Sequence, residues 1–212
     1  MSDHKPAAII VTPRGPYIAS GFSRIINVTG KKVSSNAETT LCRCGYSKNK
    51  PFCDGAHGPY QFGKERQTGT VTSAAKIYRG QVQVHYNASV CAHLGVCTRE
   101  LPEVFDTTRR PWILPDNADA IRIIDVVNRC PSGALTFTSG PDDVPADTGD
   151  NRQPTIRALK NGPLAVEGTV ELENINWVEG ASQDRFTLCR CGSSRTMPFC
   201  DGSHSAVGFA DE

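Results

Sequence analysis

The chain has 212 residues, a formal net charge of +1, 21% charged residues and 7% aromatic residues. A chain this long buries a real core and has room for more than one domain. Its balanced charge leaves no basic surplus for nucleic acid and no polybasic segment for a membrane, and its few aromatics do not indicate base-stacking platforms.

The first apolar run, residues 7–11, is too short for a signal-peptide core or a membrane span and reads as a strand. Nine cysteines cannot all pair as disulfides. With no export signal they point to a reducing, cytoplasmic compartment, where thiols serve as metal ligands. Strand-like runs at 7–12, 17–28 and 38–41 are interrupted by Gly and Pro. They lead into LCRCGYSKNKPFCDGAH at 41–57, and the stretch returns as LCRCGSSRTMPFCDGSH at 188–204. Each copy has C-x-C, a third cysteine, and a histidine four positions later. The sets are Cys42, Cys44, Cys53 and His57, then Cys189, Cys191, Cys200 and His204.

Residues i and i+2 of an extended segment share a side, so each C-x-C pair can grip one metal atom. Cys53 and His57 are four apart, which predicts one face of a helical turn, with Pro51 at its first position. Ligands at a helix start would hold an anionic centre against the positive end of the dipole. Three thiolates and one imidazole suit two irons or one tetrahedral zinc. Arg43 and Arg190, between the paired cysteines, are expected to face solvent. Asp54 and Asp201 either orient a ligand or cap a helix.

A shift of 147 residues aligns the two copies without a gap. Ile9 falls on Ile156, Gly15-Pro16 on Gly162-Pro163, Gly21 on Gly168, Thr40 on Thr187 and Phe62 on Phe209. This is a duplicated module of roughly residues 9–62 and 156–209.

The motifs resemble the CDGSH, or mitoNEET-like, family: C-x-C, a short loop, then P-x-C-D-G-[SAT]-H. Residues 200–204 read C-D-G-S-H and residues 53–57 read C-D-G-A-H. The resemblance implies one [2Fe-2S] cluster per copy, with Cys42 and Cys44 on one iron and Cys53 and His57 on the other. The same holds for the second copy. It also implies that two modules of one chain pair as an intramolecular pseudo-dimer, as single-motif members pair between chains.

Between the copies, residues 76–78 and 81–86 flank Arg79-Gly80 and predict a hairpin. The segment AIRIIDVVNR places Ile121, Ile124 and Val127 at helical spacing. Residues 134–137 predict a closing strand, and 138–153, rich in Asp, Pro, Gly and Thr, a linker. Cys91, Cys97 and Cys130-Pro131 stand where a ferredoxin would place its first, third and remote cysteines, with Leu94 in the second position. CAHLGVC, LPEVFD, RPWILPD and CPSGAL resemble the divergent single-cluster ferredoxin family over roughly 75–137. That resemblance implies [3Fe-4S] on three thiolates, or [4Fe-4S] with His93 as a fourth ligand. Phe105 and Trp112 are expected in the core. His4 and His85 carry no chemistry.

The expected architecture is α+β. Two β-rich CDGSH modules (1–66 and 154–212) form a pseudo-dimer around an inserted ferredoxin-like domain (67–137), with 138–153 as linker. No Ser/His/Asp set, G-x-G-x-x-G or P-loop is present, so no catalytic constellation is expected. The expected function is one-electron transfer in a monomer with internal two-fold symmetry. Its partners would be redox proteins or apo-cluster acceptors. Two alternatives stand beside it: a [2Fe-2S] carrier or redox/pH sensor, and a zinc-stabilised interaction module.

Overall fold

The computed structural model describes residues 6–33, 37–59, 75–139 and 152–211. His4, Phe62, the 66/67 boundary and most of the expected 138–153 linker lie outside the described residues. The first copy supplies β1 (Ala8–Val11), β2 (Tyr17–Ser20), β3 (Arg24–Ile26), β4 (Lys32–Val33) and β5 (Glu38–Leu41). The middle region supplies β6 (Lys76–Tyr78), β7 (Val82–Tyr86), α1 (Val96–Glu100), α2 (Ala120–Asn128) and β8 (Leu135–Ser139). The second copy supplies β9 (Thr155–Ala158), β10 (Leu164–Glu167), β11 (Glu171–Glu173), β12 (Arg185–Leu188) and α3 (Ser203–Ala206). The class is α+β. Strands β1, β2, β3 and β5 fall on β9, β10, β11 and β12 at the same 147-residue offset that aligns the sequence.

The two copies exchange strands. One sheet runs β11-β1-β2-β5 and the other β12-β10-β9-β3-β4. β11 pairs in parallel with β1, Leu172 against Ile9. β3 pairs in parallel with β9, Ile25 against Ile156. Each half thus lends its third strand to the other, which realises the pseudo-dimer within one chain. The exchange also solves a size problem, because a module of about 60 residues buries too little apolar surface to stand comfortably alone. Ile9, Tyr17, Ile25 and Leu41 share one continuous core with Ile156, Leu164, Leu172, Phe186 and Leu188.

The middle region is a three-stranded sheet, β6-β7-β8, covered by α2. The hairpin appears as expected, Lys76 opposite Tyr86. Val82 and Val84 point inward, while Gln83 and His85 are only partly covered. The face of α2 differs from the expected one. Ile123, Val126 and Val127 are buried and Ile121 is 78% exposed. The run Ile-Arg-Ile-Ile-Asp-Val-Val supports two helical phases, and the one chosen puts an i, i+3, i+4 set on the second core with Val84, Leu101, Phe105 and Leu135. Phe105 is fully buried in that core, while Trp112 is only half-buried against it.

This region leans on the second copy. Arg185, 5% exposed, donates from Nη1 to the carbonyls of Val127 (3.1 Å) and Asn128 at the end of α2. The Val127 carbonyl also accepts from the Cys130 N–H at 3.1 Å, and the guanidinium adds to that cap at the C-terminal end of the helix. Asn87 Nδ2 donates to the Glu179 carbonyl at 2.9 Å.

Candidate metal centres

Each C-x-C leaves the end of a buried strand, β5 or β12, and the chain folds back on it. Cys42 N–H donates to the Pro51 carbonyl (2.8 Å) and Cys53 N–H to the Thr40 carbonyl (3.0 Å). Cys189 to Pro198 (2.8 Å) and Cys200 to Thr187 (3.0 Å) repeat the pattern. Phe52 bridges antiparallel to Leu41, and Phe199 to Leu188. Pro51 therefore belongs to a β-like return, not to a helix start. The only helix among the described residues of either site is the single turn α3, which carries His204. A helix dipole is not what these sites offer. Local N–H groups take its place: Gly55 N–H points at Cys53 Sγ and Gly202 N–H at Cys200 Sγ, both at 3.4 Å.

The cysteines and histidines come together in pairs. Cys42 Sγ and Cys44 Sγ are 3.8 Å apart, Cys189 Sγ and Cys191 Sγ 3.6 Å. Cys53 Sγ lies 3.4 Å from His57 Nδ1, and Cys200 Sγ 3.3 Å from His204 Nδ1. Two thiolates bound about 2.3 Å from one tetrahedral metal sit about 3.8 Å apart. Among the described residues no three Cys, His, Asp or Glu side chains close round a single ion position. The donors thus fit a group with two metal positions, one per pair, better than one mononuclear ion.

Within each C-x-C pair the first thiol is held below its ordinary value because it hydrogen-bonds to the second, which is correspondingly raised. Burial pushes the Cys200 thiol up to about 12, a cost that a bound cation removes. Burial also lowers His204, with Arg190 adding to it, and so favours the neutral imidazole that can ligate.

Of the supporting side chains, the sequence misplaced Arg43 and Arg190 and did not single out Tyr17 or Asp211. Arg43 and Arg190 do not face solvent: they are 4% and 1% exposed. Arg43 Nη1 donates to the Thr12 carbonyl at 2.7 Å. Arg190 donates to the carbonyls of Leu159 and Gly162 and, at 2.6 and 2.8 Å, to both carboxylate oxygens of Asp211. Each arginine ties its ligand loop to the turn after the first strand. Asp54 accepts from the N–H groups of Lys48 (2.8 Å) and Ala56 (3.0 Å), and Asp201 from those of Arg195 and Ser203 (both 3.0 Å). The aspartates brace the cysteine loop against the histidine turn. Burial alone would raise Asp201, but bonds from Ser203 and Arg195 bring it down to about 2. Tyr17, fully buried, donates its hydroxyl to the Cys189 carbonyl (2.9 Å) and the Pro198 carbonyl (3.2 Å), across the pseudo-two-fold. The loops themselves touch there. A Cβ on Gly45 would sit 2.9 Å from the Cys191 carbonyl oxygen, and one on Gly192 2.6 Å from that of Cys44.

The middle cysteines line a cavity of about 40 Å³ with Tyr86, His93, Leu94 and Trp112. Cys91, Cys97 and Cys130 are all half-buried. Burial raises Cys91, and it raises Cys97 to about 11 with the thiolates of Cys130 and Cys91 adding. Leu94 is among the lining residues. His93 lines it too, at φ 51°, and its ring carbons pack against Gly202 of the second copy.

A family profile described as iron-binding zinc finger, CDGSH type, matches residues 14–58 and 161–205. One described as divergent 4Fe-4S mono-cluster matches residues 78–140. Two proteins called "Uncharacterized protein YjdI", from Escherichia coli strain K12 and Escherichia coli O157:H7, are each 38% identical over 63 residues. The match covers 29% of this chain and 83% of theirs. No solved structure gives a significant match. With both motifs, the exchanged sheets and the middle cavity in place, the chain is an iron–sulfur protein in which two copies of the CDGSH iron-binding domain flank a divergent 4Fe-4S domain.

Proposed function

We propose that this protein transfers single electrons between redox partners, using two [2Fe-2S] clusters and one middle cluster. Cys42 and Cys44 would hold one iron of the first cluster, and Cys53 and His57 the other. Cys189, Cys191, Cys200 and His204 do the same in the second. Cys91, Cys97 and Cys130 hold the middle group, [4Fe-4S] or [3Fe-4S]. When bound, such clusters supply reversible one-electron chemistry. The observation that carries the reading is the pairing of donors: two pairs per copy, each at the spacing one tetrahedral metal requires, with no convergence on a single point among the described residues. One imidazole in place of a thiolate leaves one less negative charge, so the potential of both CDGSH sites lies above the roughly −400 mV of plant-type ferredoxins.

A second reading, donation of [2Fe-2S] to an apo-acceptor, is favoured at the first copy, where Cys53 and His57 are only half-buried. No helix among the described residues is long and apolar enough to cross a membrane. The domain limits in this reading are 1–66, 67–137 and 154–212. Anaerobic purification with iron and sulfide counts, plus paramagnetic resonance in both redox states, tests it. Stoichiometric zinc with no acid-labile sulfide refutes it. Cluster transfer to an apo-ferredoxin faster than electron exchange favours the second reading.

A further inference from the structure

Gly202 stands between Cys200 and His204. A Cβ there would meet His93 Cδ2 at 2.9 Å, Cβ at 3.1 Å and Cγ at 3.3 Å. At Gly55, the counterpart in the first copy, nothing among the described residues comes within 4 Å. His93 stands between Cys91 and Cys97, at a positive φ that costs any residue but glycine some strain and that His, Asn and Asp tolerate best. One edge of its ring thus seats on the histidine turn of the second site, although the residue as a whole is exposed. Two further contacts hold the middle region on this copy: Arg185 on the end of α2, and Asn87 on Glu179. Position 38, the counterpart of Arg185, is an exposed Glu38. The difference shows in the Cys–His pairs and not in the C-x-C pairs, where Cys44 is buried and Cys191 half-buried. Cys200 and His204 are 1% and 6% exposed, whereas Cys53 and His57 are half-open.

We propose that His93 is a positioning residue of the second CDGSH site, holding the Cys200–His204 turn through Gly202, and is not a ligand of the middle group. Among the described residues the middle region is then a lid on the second CDGSH site alone. The second site is the retained one and is joined to the middle site. The first is the open one, through which exchange with the outside takes place. This rests on reading Cys200 and His204 as ligands.

The test uses full-length, anaerobically purified protein with H93N and H93F. Asparagine keeps a residue that accepts the backbone angle but removes the ring. Phenylalanine keeps the ring edge and removes both nitrogens. Metal per chain is counted, paramagnetic resonance is recorded on reduced protein, and metal release to a chelator is timed in each. In the H93N variant the expected result is unchanged metal content, a shifted second-site signal and release from that site about 10-fold faster, with first-site release unchanged. H93F brings the rate back toward wild type, short of it by the strain of a phenylalanine at φ 51°. Loss of middle-site metal in both variants shows a ligand and overturns the proposal. So does a second site that H93N leaves untouched, or first and second sites that respond alike. If the wild-type protein carries zinc, the proposed function fails, and the zinc release rates of the same variants still decide the role of His93.

Discussion

The two CDGSH copies share one backbone design yet sit in different surroundings. Their loops use the same N–H to carbonyl bonds, the same Asp brace and the same buried arginine. Around the first copy, Asp54 and Gly55 are exposed and Cys53 and His57 half-buried. Around the second, Asp211 clamps the arginine, Tyr17 reaches in from the other half, and the middle region covers the histidine turn. Identical cysteine and histidine sets do not make identical surroundings. What differs is which neighbours exclude water and fix the turn, and these are the factors that tune potential and metal retention.

The largest break in this comparison comes from Asp211. Asp211→Asn leaves a 1%-exposed guanidinium without its carboxylate, and is expected to cost about 3–5 kcal/mol in urea unfolding of the metal-free protein. A loss below about 1 kcal/mol would mean the second copy is not held by this pair. Next is the lid. Arg185→Met removes the cap on α2 and is expected to cost about 2 kcal/mol, with faster hydrogen exchange in α2. Glu38→Met at the matching exposed position stays within about 0.5 kcal/mol. Equal effects would remove the asymmetry.

Tyr17→Phe deletes one hydroxyl bonded to two carbonyls of the second ligand loop. An expected loss of about 1 kcal/mol goes with a perturbed second-site spectrum and an unperturbed first. A change confined to the first site would contradict the placement of Tyr17. The smallest effect is in pH. His204 is lowered by burial first and by Arg190 next, so the folded metal-free chain disfavours its charged form. The unfolded chain then binds the extra proton, and stability falls as pH drops below about 6.5. His204→Gln should flatten that slope, as read from urea midpoints at a series of pH values. An unchanged slope would assign it to another group.

Much of this was legible from residue types and spacing. The 147-residue offset carries over strand for strand, and in each copy the two cysteines of C-x-C meet, as do the cysteine and the histidine four positions later. The strand exchange was not legible, because β3 and β11 look like any short apolar strand, and only the complete chain shows which sheet each joins. The burial of Arg43 and Arg190 was not legible either. An arginine beside a ligand reads as solvent-facing until the carbonyls that receive it are known. The phase of α2 was misplaced by an apolar run that satisfies two faces, and tertiary packing chose between them. Pro51 misled because proline suits both a helix start and a tight return, and only the Leu41–Phe52 bridge tells them apart.

The account stands most directly on Mössbauer spectroscopy of ⁵⁷Fe-labelled, anaerobically prepared protein. It predicts two resolvable [2Fe-2S] sites, each with one iron on two cysteines and one on cysteine and histidine, beside a middle cluster of three or four irons. Iron confined to the middle site, or two CDGSH sites with indistinguishable parameters in both redox states, would contradict it.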